Sequence, residues 1–261
     1  MTQRNRRHGA APGPRAGTTA VVTGGARGFG KAFGTALAGE GAAVVLIDID
    51  AAAVEQTATD IRHSGGSATG FAGDVTDEAA MNAIMGRAAA VHGGIDILIN
   101  NAGLHSDEYS KPIREMGPAK TRRLFEVNVV GVIACTLAAQ PHMVHRAGAS
   151  IVNIASAAAH LGGTAYGTSK LAVAGLTITF ARELGADGIR VNAISPGMIF
   201  TDTIRAELPD AVQQRVKAMQ FIDTDGAEAD VVEAMLYLTS DRARFITGET
   251  LRVTGGMASG T

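Results

Sequence analysis

The stretch Thr19-Ala-Val-Val-Thr-Gly-Gly-Ala-Arg-Gly-Phe-Gly30 decides the fold. Its first five residues are apolar or β-branched, as a buried strand requires, and glycines then crowd a turn before a helical pattern that runs to about Gly39. Gly24, Gly28 and Gly30 let the backbone turn sharply and come close to a ligand. The helix after the turn points unpaired N–H groups and the positive end of its dipole back at it, where a pyrophosphate fits. Arg27 and Phe29 lie in the same turn. Taken alone, three glycines between a strand and a helix also describe a tight, closely packed turn, so the pattern gains its meaning from the residues downstream.

A second apolar run, Ala43 to Ile47, stops on Asp48, 18 residues beyond Gly30. A continuous apolar run is the pattern of a parallel strand buried on both faces. A carboxylate at its end is placed to accept hydrogen bonds from an adenosine ribose, and it would repel a 2′-phosphate, which favours NAD over NADP. Arg27 pulls toward the phosphate, but repulsion is direct and an exposed arginine can face solvent, so the carboxylate carries more weight. The plainer reading of Asp48 is a cap for the next helix.

Ala51 to Ser64 reads as that helix, ended by Gly65-Gly66, and Ser67 to Ala72 as a third strand with Asp74-Val75 at its carboxyl end. Thr76 to His92 is a further helix, and the fourth strand, Ile95 to Ile99, runs into Asn100-Asn101-Ala102-Gly103. There an amide can lock a neighbouring loop, and the small pair leaves room for a flat ligand. Leu104 to Lys120 loses periodicity and reads as a surface loop bordering an opening. His105 and Glu108 lack metal-ligand spacing, and no metal site is expected.

Composition narrows the class. With 261 residues, 46% hydrophobic and 18% charged, the chain has material for one large core, and a net charge of −2 gives no case for nucleic acid or an anionic membrane. No apolar run reaches the roughly 20 residues of a membrane span. The single cysteine, Cys135, reads as a buried structural thiol in a reducing compartment. The leader, residues 1–17, carries four arginines among Gly, Ala and Pro without the apolar stretch of a secretory signal, and reads as a disordered arm. The expectation is a soluble cytoplasmic protein with a single domain over residues 18–261.

Lys120 to Arg146 reads as a long helix with Asn128 in its first half, whose amide must find partners among apolar neighbours, either by holding a water or by kinking the helix. The fifth strand, Ile151 to Ala155, then delivers Ser156. Tyr166 and Lys170 stand four apart, which on a helix puts both on one face. An ammonium there favours the phenolate, so the pair suits a general acid or base, and Ser156 offers a hydroxyl to the same substrate oxygen. A tyrosine and a solvated lysine on an amphipathic helix is the plainer account of the pair.

Together these pieces make the chain resemble the short-chain dehydrogenase/reductase family, in its small single-domain branch, over about residues 18 to 256. The matching pieces include Thr-Gly-Gly-Ala-Arg-Gly-Phe-Gly (23 to 30), Asn-Asn-Ala-Gly (100 to 103), Tyr-Gly-Thr-Ser-Lys (166 to 170) and Pro196-Gly197 through Thr201. The resemblance implies that Tyr166 is the general acid/base, that Lys170 lowers its pKa and holds the nicotinamide ribose, and that Ser156 polarises the substrate oxygen. It implies that Asn128 anchors a water in a proton relay, that Asp74 meets the adenine, and that Asn101, Ala102 and Gly103 head the cofactor pocket. Pro196 and Gly197 then meet the nicotinamide, whose carboxamide Thr201 bonds.

Two departures stand out. Ser156 and Tyr166 are only ten apart, so the loop between them is short, and Ile222-Asp-Thr-Asp-Gly-Ala-Glu lacks a basic residue that many relatives carry before the glycine. Residues 198–225 read as a substrate flap, with Ile204, Leu208, Val212 and Val216 at helical spacing over Asp202 to Met219. The expected architecture is a doubly wound (Rossmann) α/β fold with a parallel seven-stranded sheet in the order 3-2-1-4-5-6-7. The expected activity is hydride transfer between NAD(H) and a secondary alcohol or ketone, by a homotetramer or homodimer. Two alternatives stand beside it: an NADPH-dependent reductase of 3-oxoacyl thioesters, and a catalytically silent dinucleotide-binding sensor or scaffold.

Overall fold

The computed structural model describes residues 13–106, 108–199 and 210–257. Seven strands form one sheet: β1 (Thr19–Thr23), β2 (Ala43–Asp48), β3 (Ser67–Ala72), β4 (Ile97–Asn100), β5 (Ser150–Ile154), β6 (Arg190–Pro196) and β7 (Thr250–Val253). Their order is β3-β2-β1-β4-β5-β6-β7, as expected, and every pairing is parallel. The chain starts in the middle, winds outward to β3, and returns to place β4 on the other side of β1. Connections leaving the carboxyl ends of β1 and β4 therefore diverge, which opens a crevice above them.

Alternation along the strands explains why helices cover both faces. Val21, Val45, Leu98 and Ile151 point to one side, into a cluster with Met81 and Met85 of α3 (Glu78–Ala89), Cys135 of α5 (Gly131–Met143) and Phe180 of α7 (Ala165–Leu184). Val22, Val44, Leu46 and Ile99 point to the other, against Phe33 and Leu37 of α1 (Gly28–Gly39), Val54 of α2 (Ala51–His63) and Met235 of α9 (Glu228–Leu238). With two apolar faces to cover, each crossover is held by burial rather than by helix propensity. Cys135 is buried as expected, and its surroundings push the thiol up to about 12.

Three expectations change. The stretch read as a loop up to Lys120 is already helical from Ile113: α4 (Ile113–Phe125) contains a left-handed Gly117 (φ 71) followed by Pro118, so two helical pieces meet at a kink. A proline that opens the second piece costs no hydrogen bond there. Between α4 and α5 the chain makes a π-helical turn, Glu126–Val130, that contains Asn128. The run Ile113–Met143 is consequently long and apolar enough, by length and composition, to cross a bilayer, although half of its most apolar window is buried within the protein. It is a core helix of the fold, interrupted by the kink and the π turn.

The leader also differs. Residues 1–12 lie outside the described residues, but Arg15 is buried and far from being part of a free arm. It pairs with Glu40 and donates to the carbonyl oxygens of Leu236 (2.9 Å) and Thr239 (3.1 Å) at the end of α9. Unpaired carbonyls at a helix C-terminus attract a guanidinium, which is what captures this stretch. Of the flap expected over residues 198–225, residues 200–209 lie outside the described residues, and α8 (Asp210–Lys217) forms where a helix was expected.

Candidate active site

One cavity of about 530 Å³ runs along the crevice across the carboxyl edge of the sheet. At its entry, Gly24, Arg27, Gly28 and Phe29 line it with the turn between β1 and α1. Helix α1 has no side-chain cap at its N-terminus and no acidic residue in its first turn, so its unpaired N–H groups are left for an anion. Gly24 has φ 64, and a Cβ there would come within 2.9 Å of the Ala102 backbone; at Gly28, with φ 50, a Cβ would project into open space. The turn thus offers bare backbone to a phosphate, and the residues present fit the pyrophosphate of a dinucleotide. Gly30 lines no part of the cavity and instead lets α1 close against the Gly24 carbonyl.

The amide of Asn101 holds this turn in place. Its Nδ2 donates to the carbonyl oxygens of Thr23 and Gly24, both at 3.0 Å, while Thr23 Oγ1 accepts from the backbone N–H groups of Asn101 and Ala102. Asp48 borders the same cavity, with Oδ2 accepting from the Ala26 N–H and Oδ1 from the Asp50 N–H, each at 3.1 Å. Those bonds aim the carboxylate and leave lone pairs on both oxygens for a ribose. Arg27 is largely exposed, as the weighting toward Asp48 allows, and its tip reaches the Asp50 carboxylate at 3.3 Å.

Asp74 and Val75 close the far end. Thr76 donates to Asp74 from its backbone (3.0 Å) and hydroxyl (2.8 Å), and Arg123 lies beside the carboxylate. Burial opposes ionisation of Asp74, but these donors outweigh it and hold its pKa below the usual carboxylate value.

At the inner end stand Ser156, Tyr166 and Lys170, with Gly103, Pro196 and Gly197 around them. Ser156 leaves the end of β5, where its hydroxyl accepts from the Ala158 N–H at 3.2 Å, and it lines the same end of the cavity as the Tyr166 phenol. Thr164 caps α7 through the Gly167 N–H (3.0 Å), which fixes the first turn that carries Tyr166. The short connection is possible because α6 (Ala158–Leu161) and two left-handed glycines, Gly162 and Gly163, fold it back on itself. Gly167 permits this return, since a Cβ there would lie 2.5 Å from the Ala158 carbonyl oxygen.

The electrostatics differ from expectation. Burial pushes the Tyr166 phenol up, and the neighbouring Ser156 hydroxyl only opposes that rise. Lys170 Nζ sits 5.8 Å from the Tyr166 ring centre and donates to the Ile154 carbonyl oxygen at 2.7 Å. Burial pushes Lys170 itself down to about 8. Desolvation of the two groups therefore outweighs the attraction that would have depressed the phenol.

Asn128 lies behind the cavity rather than in its lining and is fully buried. Its Oδ1 accepts from the Leu104 N–H (2.7 Å), and its Nδ2 donates to the Leu104 carbonyl oxygen and to Ser169 Oγ, both at 3.1 Å. The π-helical turn that carries Asn128 sets its amide against Leu104 and Ser169. Thr201 lies outside the described residues. Ile49, Gly73, Leu104, His105, Arg123 and Val127 also line the cavity but were not singled out as site residues. Ile49 and Gly73 come just after strand ends, a position that could have flagged them, whereas Arg123 sits in the last turn of α4 with no local signal.

With this geometry in place, the comparisons agree. The family described as Enoyl-(Acyl carrier protein) reductase matches residues 24–258. An uncharacterized oxidoreductase of Mycobacterium tuberculosis is 40% identical over 237 residues, 91% of this chain and 96% of its own. The cis-4-hydroxycyclohexanecarboxylate dehydrogenase of Sinomonas cyclohexanicum is 39% identical over 240 residues, 91% of this chain and 95% of its own. The structure of a 7α-hydroxysteroid dehydrogenase complexed with NADH and 7-oxo glycochenodeoxycholic acid matches with a TM-score of 0.85 and 34% identity, over 92% of this chain and 94% of that one. The chain belongs to the short-chain dehydrogenase/reductase family. It is an NAD(P)-dependent oxidoreductase acting on CH–OH groups.

Proposed function

We propose that the protein interconverts a secondary alcohol and a ketone with NAD(H). The observation that carries this reading is the convergence of Ser156, Tyr166 and Lys170 on one end of a cavity whose other reaches include the Asp48 carboxylate. Ser156 holds the substrate oxygen, and Tyr166 gives it a proton as the carbonyl is reduced or takes one as the alcohol is oxidised. A bound nicotinamide would supply or accept the hydride at the substrate carbon. Because burial raises its pKa, Tyr166 stays a neutral phenol near pH 7, ready to donate. When it has given its proton, the ammonium of Lys170, held by Ile154, offers the positive charge that stabilises the phenolate.

Gly24, Gly28 and the start of α1 would hold the pyrophosphate, Asp48 the adenosine ribose, and Asp74 and Val75 the adenine. The preference for NAD(H) over NADP(H) rests on Asp48, which its two backbone donors aim as an anion, and on the engagement of Arg27 by Asp50. Two relatives support a cyclic secondary alcohol or its ketone as the substrate class: one is a dehydrogenase of a hydroxycyclohexane acid and the other is complexed with a 7-oxo bile acid. Exposed Leu137 on α5 and Leu171 and Ile178 on α7 support assembly as a homodimer or homotetramer.

A panel of cyclic alcohols and ketones, followed at the nicotinamide absorbance with both cofactors, tests the reading. Turnover with NAD(H) and tighter binding of NADH than NADPH is expected. Tighter NADPH binding would overturn the cofactor choice, and no turnover with either cofactor would overturn the reaction.

A further inference from the structure

Arg123 belongs to α4, yet its side chain borders the cavity at the end formed by Asp74 and Val75. Two carboxylates steady it there: Nη2 lies 3.4 Å from Asp74 Oδ2 and Nη1 lies 3.2 Å from Glu126 Oε2. Asp74 is itself fixed by Thr76 through its other oxygen. Surface ion pairs of this kind add little to stability, so their consequence here is orientation. Ile49 lines the same cavity although it is 71% exposed. A large apolar side chain left in solvent at the rim of a polar cleft is a contact surface for something flat and apolar.

A steadied planar cation, an apolar side chain and an ionised carboxylate at one end of the cavity match the chemistry of an aminopurine. A guanidinium stacks on the face of an aromatic ring, which lysine's point charge does less well. A carboxylate accepts from an exocyclic amine. We propose that Arg123 is a binding residue for the adenine of the dinucleotide, its guanidinium packing on the purine while Asp74 accepts from the amine. The assignment rests on the NAD(H) reading above and extends it to a residue outside the recognised motifs.

Calorimetric titration with ADP-ribose and with nicotinamide mononucleotide tests it, using the full-length protein and its Arg123→Leu and Arg123→Lys variants. ADP-ribose carries the adenine and the mononucleotide does not. Arg123→Leu is expected to weaken ADP-ribose binding about tenfold, with the mononucleotide bound as before. Arg123→Lys, which keeps charge beside Asp74 without the planar face, is expected to fall between the two. ADP-ribose affinity unchanged in either variant overturns the assignment, as does an equal loss for both ligands, which would indicate general damage to the site. A wild-type protein that binds neither ADP-ribose nor NADH would instead sink the NAD(H) reading, and the assignment with it.

Discussion

Lys170 Nζ donates to the carbonyl oxygen of Ile154 at 2.7 Å, which ties a buried cation on α7 to the last residue of β5. Ser156 comes two residues later, so one hydrogen bond sets the helix that carries Tyr166 against the strand that delivers the serine. The cation is placed there at a thermodynamic cost.

Burial lowers Lys170 from its ordinary 10.5 to about 8, a displacement worth about 3 kcal/mol against folding wherever both states are protonated. Lys170→Met is therefore expected to abolish turnover yet stabilise the fold by about 2 kcal/mol at pH 7, after allowing about 1 kcal/mol for the Ile154 carbonyl left without its donor. The sign is set by protons bound: below pH 8 the full penalty applies, and between 8 and 10.5 the folded state is neutral while the unfolded state still binds a proton. The advantage of the variant should shrink across that window and turn into a deficit of about 1 kcal/mol above it, where only the orphaned Ile154 carbonyl counts, as urea unfolding at stepped pH would measure. A variant less stable than the wild type at pH 7 would contradict this.

Asn128 serves three partners on two elements, both backbone groups of Leu104 and the hydroxyl of Ser169. Ser169 passes the connection on by donating to the Tyr166 carbonyl oxygen at 2.7 Å. Asn128→Ala should destabilise the protein by about 2–3 kcal/mol, because it leaves buried groups without partners. Equilibrium unfolding would check the cost. A change below about 0.5 kcal/mol would mean that water replaces the amide.

Arg15 closes the sheet's helical cover near the end of α9. Arg15→Ala should lower stability by about 1.5–3 kcal/mol, the range for hydrogen bonds to a charged group, with cofactor affinity unaltered. Thermal unfolding combined with an NADH titration distinguishes this from a neutral change in a loose leader.

Much of the fold and site is legible in the sequence because it is encoded locally. The strand Thr19–Thr23 has the bounds expected of it, and Asp48 ends β2 where an apolar run met a carboxylate. The features that escaped depend on distant partners or on paired exceptions. Gly117-Pro118 looks like a loop, yet a left-handed glycine followed by a proline joins two helical pieces as readily as it ends one. Arg15 and Arg123 find their meaning in groups 224 and 49 residues away, which no local pattern reveals. The direction of the Tyr166 shift escaped as well, since helical spacing shows that Lys170 is near but not that both groups are desolvated.

The central claim is that Tyr166 moves the substrate proton within a site that binds NAD(H), and Tyr166→Phe tests it most directly. The variant removes one hydroxyl from a position bordered by cavity and leaves the ring in place. NADH affinity measured by fluorescence should stay within about twofold, while turnover on a substrate accepted by the wild type should fall by about 10²–10⁴. Turnover equal to that of the wild type, with NADH bound normally, would contradict the proposed role of Tyr166.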